Sequence, residues 1–366
     1  MNTPPLLLHV FPSFAVGGAQ VRFIALANRF GPRWRHAVVS LNGETEAASR
    51  LAPDVPFELL PRPFAPGAGG AARLAGIYGM LRRLRPALLV TSNWGSIEWG
   101  IANLAARCAH LHTEDGFGPE ERDRQLPRRV LARALTLRGS DVLVPSATLE
   151  RVALAQWRLP AARLHRVANG IDLARFRPGP AEPLMDGEGP LIGATAALRP
   201  EKNIGRLLRA VALLRAEGVP VRLAILGDGP ERAALEALAA QLGLGSQCRF
   251  LGHVADPAAA YRAMDILALS SDTEQMPFAV LEAMATALPV ASTNVGDVAA
   301  MVSTENRPYL APLTDEGLAS ALRPLLLDAR LRLATGKANR EKAASDYDQE
   351  AMFTILARLI DRVAGL

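Results

Sequence analysis

Residues 270–297 read SSDTEQMPFAVLEAMATALPVASTNVGD, and they decide the fold class. Ile266–Leu269, just before them, is an apolar run of strand length. Ser270, Ser271, Asp272 and Thr273 end that run with small polar residues, and Glu274 then stands in a loop. Phe278–Ala287 is apolar at most positions and has helix length, and Val290–Ser292 is a second short apolar run. Strand, loop, helix and strand in such close succession make a βαβ unit. Parallel strands covered on both faces read as unbroken apolar runs, not as alternating ones. Glu282 is the exception within the helix, placed beside Leu281 and Met284. Glu is rarely buried without a partner. A carboxylate near a helix start is favoured by the helix dipole and can accept two hydroxyl hydrogen bonds from a ribose or hexose. An exposed face on a partly buried helix would hold it equally well.

The same rhythm runs outward in both directions. Towards the amino end the pattern predicts strands at Leu191–Ala197, Val221–Leu226 and Arg249–Leu251, with helices at Ile204–Glu217 and Glu231–Leu242. Residues 178–190, PGPAEPLMDGEGP, are linker chemistry. Before them come strands at Leu6–Phe11, Ala37–Leu41, Ala87–Thr91, Asp141–Pro145 and Leu164–Val167. Helices are predicted at Ala19–Phe30, Ala71–Leu84, Ile97–Arg107 and Ala147–Gln156. Met352, Ile355, Leu356 and Leu359 recur at helical spacing near the carboxyl end and predict a closing amphipathic helix. The expectation is an α/β protein of two domains: 1–177, a linker at 178–190, 191–345, and the helix at 346–366. A chain of 366 residues is long enough for two cores of this kind.

Charge is distributed unevenly. Residues 1–172 hold 21 Arg, no Lys and 13 acidic residues, a net of +8, whereas the whole chain carries +5. Arg82, Arg83 and Arg85 form one basic group; Arg122, Arg124, Arg128, Arg129 and Arg133 form another. An anionic membrane surface or phosphorylated acceptor would suit them, and so would a plain solvated face. Nucleic acid is not expected, because aromatic residues are few and are not interleaved with the arginines. The two cysteines, Cys108 and Cys248, lie in no ligand-spaced cluster, so no zinc site is expected. Asp346-Tyr347-Asp348 looks like a metal-binding DxD but precedes a helix, where Asp is a common cap. With neither a leader nor a membrane span read from the sequence, a cytoplasmic protein is expected.

Three further groups could carry chemistry. Gly17-Gly18 follows the first strand and opens the first helix, where free N–H groups favour an anion; an ordinary glycine turn is the other reading. Gly227-Asp228-Gly229 is also a strand-to-helix turn, but its G-x-G-x-x-G pattern is incomplete, which argues against a dinucleotide. Lys202 is one of only three lysines, with Lys337 and Lys342, in a chain rich in arginine. A compact ammonium at a strand end, beside Arg199, suits a phosphate.

Taken together, these segments resemble glycosyltransferase family four, of the GT-B fold, over nearly the whole chain. Glu274 and Glu282 resemble that family's E-x7-E donor signature, and GGAQ, LRPEKN, LGDGPER, FLGHV and NGID resemble its other segments. The resemblance implies two Rossmann-like domains facing a cleft, the first for the acceptor and the second for the donor, with the last helix crossing back to the first, and a retaining, metal-independent hexosyl transfer with no cofactor. The donor would be a UDP- or GDP-sugar, and the acceptor a carbohydrate or lipid-linked hydroxyl at the inner membrane face. It implies that Lys202 and Arg199 hold the donor diphosphate, that Glu274 meets the sugar and that Glu282 meets the ribose. Further donor contacts would come from Gly17, Gly18, Gly227, Asp228, Val254, Met276, Pro277 and Phe278. Arg199 would replace an arginine whose usual place is Ala197, and Asp115 would replace a histidine, with His112 as second choice. Sugar-nucleotide 2-epimerases share the fold, and a non-catalytic nucleotide-sugar binding subunit would share the site.

Overall fold

The computed structural model describes residues 3–117, 121, 125–254 and 256–366, so Arg122 and Arg124 lie outside the described residues. These residues divide into two units, 1–168 with 353–366, and 169–352.

The first unit contains β1 (Leu6–Phe11), α1 (Gly18–Phe30), β2 (Arg35–Ser40), β3 (Phe57–Leu59), α2 (Gly70–Leu84) and β4 (Leu88–Ser92). It continues with α3 (Ile97–Ala106), β5 (His110–Thr113), α4 (Pro127–Thr136), β6 (Asp141–Val144), α5 (Ala147–Ala155) and β7 (Leu164–Arg166). Its seven strands lie in the order β3-β2-β1-β4-β5-β6-β7, all parallel. Sequential strands step one way to β3, and the chain then returns to the other side of β1. The β1/β4 boundary is therefore a topological switch point, outside whose carboxyl ends ligands bind in open α/β sheets.

The second unit contains β8 (Leu191–Thr195), α6 (Ile204–Ala216), β9 (Arg222–Leu226), α7 (Arg232–Gln241), β10 (Cys248–Gly252), α8 (Pro257–Arg262) and β11 (Ile266–Leu269). After these come α9 (Phe278–Ala285), β12 (Val290–Thr293), α10 (Val298–Met301), β13 (Leu310–Ala311), α11 (Asp315–Leu327) and α12 (Ala329–Asp346). The strand order is β10-β9-β8-β11-β12-β13, again parallel throughout, with the switch point at β8/β11. The last helix, α13 (Gln349–Ala364), starts in this unit, and its residues from Phe353 on group with the first. Within the first unit its Asp361 accepts a hydrogen bond from Trp34 Nε1 at 3.2 Å and pairs with Arg33.

The central strands are buried on both faces. All five residues of β4 and all four of β11 are buried. Helices start where small polar side chains accept the first free amides, as Ser146 does for α5 and Asn203 for α6. Asp348 does the same for α13, accepting from Glu350 N at 3.1 Å, while Asp346 ends α12 paired with Lys342.

The predicted elements are present, with ends differing by one or two residues. Several others gave no clear pattern: β3, β5, α4, α8 and the whole run from α10 to α12. β5 is HLHT, a strand whose buried positions include two histidines. α12 shows almost no amphipathic pattern and is held by polar contacts. Asn339 donates to the Leu288 carbonyl at 2.9 Å and to Asn306 Oδ1 at 2.8 Å, and Asn306 in turn pairs with both backbone groups of Val290.

Candidate functional site

Lys202 follows β8 and Glu274 follows β11, so the switch point of the second sheet brings together two residues 72 apart in sequence. Lys202 Nζ lies 2.6 Å from Glu274 Oε1, and Ser271 Oγ donates to the same oxygen at 2.8 Å. Both side chains keep an open edge, Lys202 at 25% exposure and Glu274 at 11%. The loops bearing them are fixed from beneath. Asp272, at 4% exposure, takes Arg206 Nη2 at 2.6 Å and Asn203 Nδ2 at 3.1 Å, and Arg206 Nη1 also donates to the Ser270 carbonyl at 2.7 Å. Ser270 Oγ donates to the Lys202 carbonyl at 3.0 Å. The buried Arg206–Asp272 pair thus locks the β8 loop to the β11 loop, leaving Lys202 and Glu274 to face outward from a rigid base.

Glu282 sits one turn into α9 and is half-buried, with a desolvated carboxyl. Burial raises its pKa above the ordinary carboxylate range, and the Tyr261 hydroxyl and the Arg175 charge oppose that rise. Tyr261, from α8, is fully buried beside it. The exposed-face reading of Glu282 therefore fails. Pro277 caps α9 with extended backbone, and Asn169 Nδ2 donates to the Met276 carbonyl at 3.1 Å. Met276 and Pro277 are buried, and Phe278 is half-buried.

The glycines of the β9 turn have a structural use. At Gly227 the backbone has φ +127, and a side chain would run into the Ala196 carbonyl; at Gly229 it would meet Leu198. Leu198 N donates to the Asp228 carbonyl at 3.0 Å, so this turn braces the loop leading to Lys202. The Asp228 carboxyl is exposed and paired with Arg232, and the Gly229 amide together with Arg232 pulls its pKa down. Arg199 is exposed, with no side-chain partner among the described residues, and Val254 is half-buried at the end of β10.

In the first unit, Gly17 caps α1 without any side-chain capping bond, and the first turn of α1 holds no acid. Asp115, just past β5, is gripped by Arg22 of α1 through two contacts, at 2.7 and 3.0 Å, and its amide donates to Asn93 Oδ1 at 2.7 Å. The switch point β1/β4 and its neighbour β5 thus place Asp115 beside Arg22 of α1. His112 is not placed with it: the side chain is fully buried in β5, and Nδ1 lies 2.8 Å from Thr91 Oγ1. A ring with no exposed edge is poorly placed to meet a substrate, which counts against the second choice.

The second basic group also needs correction. Arg133 has no exposure; it pairs with Glu114 at 3.1 Å and Glu121 at 3.3 Å, and Trp94, Phe117 and Trp157 ring its guanidinium. Arg129 also pairs with Glu121. These charges serve packing, because a cation is buried only with compensating partners. Reading the sequence alone missed Arg206, Asp272, Tyr261 and Arg22, whose partners lie far away in the chain. The D-T-E run before α9 was the one local signal for Asp272.

A family model described as Glycosyl transferases group 1 matches residues 180–342, and one described as Glycosyltransferase Family 4 matches residues 16–175. D-inositol 3-phosphate glycosyltransferase of Rhodococcus erythropolis is 30% identical over 295 residues, covering 76% of this chain and 63% of that protein. GDP-mannose-dependent alpha-(1-6)-phosphatidylinositol monomannoside mannosyltransferase of Mycobacterium tuberculosis is 29% identical over 243 residues, covering 62% of each. The chain thus spans under two thirds of the length of these curated relatives. Among solved structures, Anabaena HepE in complex with UDP and glucose superposes with a TM-score of 0.81 at 18% identity, covering 98% of this chain and 100% of that one. WaaG, a glycosyltransferase involved in lipopolysaccharide biosynthesis, gives 0.75 at 19% identity, covering 99% and 100%. No helix among the described residues is long and apolar enough to cross a membrane.

Proposed function

Because this chain belongs to the group 1 glycosyl transferases and has their GT-B fold, we propose that it moves a hexosyl unit from a UDP- or GDP-sugar to an acceptor hydroxyl with retention of configuration. The acceptor is a glycolipid, lipopolysaccharide or exopolysaccharide precursor, and the reaction takes place at the cytoplasmic side of the membrane. The observation that carries this reading is the Lys202–Glu274 pair at the β8/β11 switch point, followed in the chain by the desolvated Glu282 of α9. A cation held there by a carboxylate is positioned to receive a diphosphate, and the exposed guanidinium of Arg199 adds a second positive charge.

In this mechanism the bond between the anomeric carbon and the donor phosphate oxygen breaks while the acceptor oxygen bonds to the same face. The acceptor proton passes to the departing diphosphate. Lys202 and Arg199 stabilise the charge that develops on that group, the role a metal ion has in other transferases, so the reaction proceeds without one. Glu274 exchanges Lys202 for sugar hydroxyls, and Glu282 accepts hydrogen bonds from the ribose. On the acceptor side, Asp115 is kept oriented by Arg22.

A panel of UDP- and GDP-sugars, offered with lipid-linked and free saccharide acceptors in a chelator, tests the proposal. Product with the donor's anomeric configuration supports it. Donor consumption without any acceptor would reveal an epimerase instead, and nucleotide binding without turnover a binding subunit.

A further inference from the structure

Helix α8 packs on α9 and brings to it a hydroxyl that packing does not explain. Tyr261 has no exposure, and its ring meets Phe176 edge-on, with centroids 6.0 Å apart and an interplanar angle of 75°. Its Oη lies beside both the Glu282 carboxyl and the Thr195 hydroxyl. Thr195 ends β8, the strand whose following loop carries Lys202. Tyr261 Oη and Thr195 Oγ1 are both buried, and neither completes a hydrogen bond of full geometry among the described residues. Burying a hydroxyl without a well-formed partner costs stability. A ring that only filled the core would do better as phenylalanine, which has the same shape and no such cost. The hydroxyl therefore has a use, and the carboxyl it faces is Glu282.

We propose that Tyr261 is a positioning residue for nucleoside recognition: its hydroxyl donates to one oxygen of Glu282, with Thr195 donating to it in turn, so that the other carboxylate oxygen is held towards the ribose diol of the donor. This rests on the reading of Glu282 as the ribose carboxylate. A carboxylate that accepts from two ribose hydroxyls must be ionised and fixed in rotation. Burial works against the first, and the free torsions of a glutamate side chain work against the second. An ionised carboxylate only accepts, whereas a hydroxyl both donates and accepts, so the chain from Thr195 through Tyr261 to Glu282 can run in one direction only. The ring of Tyr261, wedged against Phe176, supplies a rigid donor. Arg175 is the other charged group facing Glu282 among the described residues. Its side chain is 51% exposed and pairs with Asp256, so it offers charge without fixing the rotation.

Isothermal titration of the full chain with UDP and with GDP tests it. Tyr261→Phe should weaken binding of the accepted nucleotide by about fivefold, with Tm unchanged or raised, and Thr195→Val should weaken it by less. The dideoxy form of that nucleotide, which lacks both ribose hydroxyls, should lose nothing further from Tyr261→Phe. Affinity should also fall as pH drops and Glu282 takes up a proton. Tyr261→Phe should move that fall to higher pH, because the phenol favours the charged carboxyl, and Glu282→Gln should abolish it. Wild-type affinity and an unmoved pH profile in Tyr261→Phe overturn the proposal while leaving Glu282 its role. So does an equal loss for the ribose and dideoxy nucleotides, which would mark a role in packing alone. Undiminished affinity in Glu282→Gln, or no binding of either nucleotide by the wild type, overturns the ribose reading of Glu282 and the proposal with it.

Discussion

At the scale of single residues, the candidate site rests on charges that satisfy one another. Lys202 occupies Glu274, so replacing either one leaves the other without its counter-charge. Lys202→Ala is expected to lower kcat/KM by about 10²–10³ if, as proposed, its charge stabilises the leaving group; steady-state kinetics with the accepted donor measures it. Glu282 should show a conflict between stability and binding. Burial raises its pKa, so the contribution of the protonated form to stability is complete below the ordinary carboxylate range and is lost as pH rises through the raised value. Glu282→Gln is therefore expected to raise Tm at pH 7, by about 2 °C for each kcal/mol relieved, and to have no effect near pH 4. The same change should weaken donor binding by about tenfold through loss of a charged acceptor. Calorimetric melting at the two pH values and a donor titration check both halves. The identities of Lys202, Glu274 and Glu282 could be read in the sequence from rarity and context. Their pairing could not, because it depends on β8 and β11 becoming neighbours. Arg206 gives no such local sign and Asp272 only the D-T-E run, since each looks solvated until the other arrives.

The elements show why close backbone approach matters here. Gly296, after β12, has φ +55, and a side chain there would strike the Glu274 and Gln275 carbonyls. Asp297 N donates to the Gln275 carbonyl at 2.9 Å, so this turn clamps the loop that carries Glu274. Gly296→Ala should displace that loop, cutting kcat by about tenfold or more and costing more stability than the about 1–2 kcal/mol of αL backbone alone, because the methyl also meets the two carbonyls. Rates and melting curves measured on one preparation separate the two effects. Strands such as β4 and β11 were legible because a short unbroken apolar run between polar turns fits little besides a buried strand. α4 was not, because PRRVLARALT reads as a basic surface stretch, and only Glu114 and Glu121 reveal that Arg133 faces inward. α12 escaped notice because Asn339 and Asn306, not an apolar stripe, hold it in place.

At the scale of the whole molecule, the two switch points follow from the strand orders, and the alternation of strands and helices foretold the doubly wound class. Acid should destabilise the first unit in particular. Burial lowers the pKa of His9, aided by the neighbouring His36, and brings His36 to about 4 and His110 to about 3. Each is neutral in the native state, and the unfolded chain takes up a proton below about 6.5. Stability is thus complete above that value and is lost from there down towards the native pKa values, at up to about 1.4 kcal/mol per pH unit for each ring. Urea melts between pH 7 and 4.5 should show this slope, and His36→Gln should make it shallower. The cage around Arg133 also bears on the order of events in synthesis. Glu114 and Glu121 leave the ribosome before Arg133 does, and until it follows they lack the cation that lets them be buried. β5, Glu121 and α4 are therefore expected to close together once Arg133 is present. Amide protons of β5 and α4 should then exchange with solvent deuterium in concert, and Arg133→Met should speed both together.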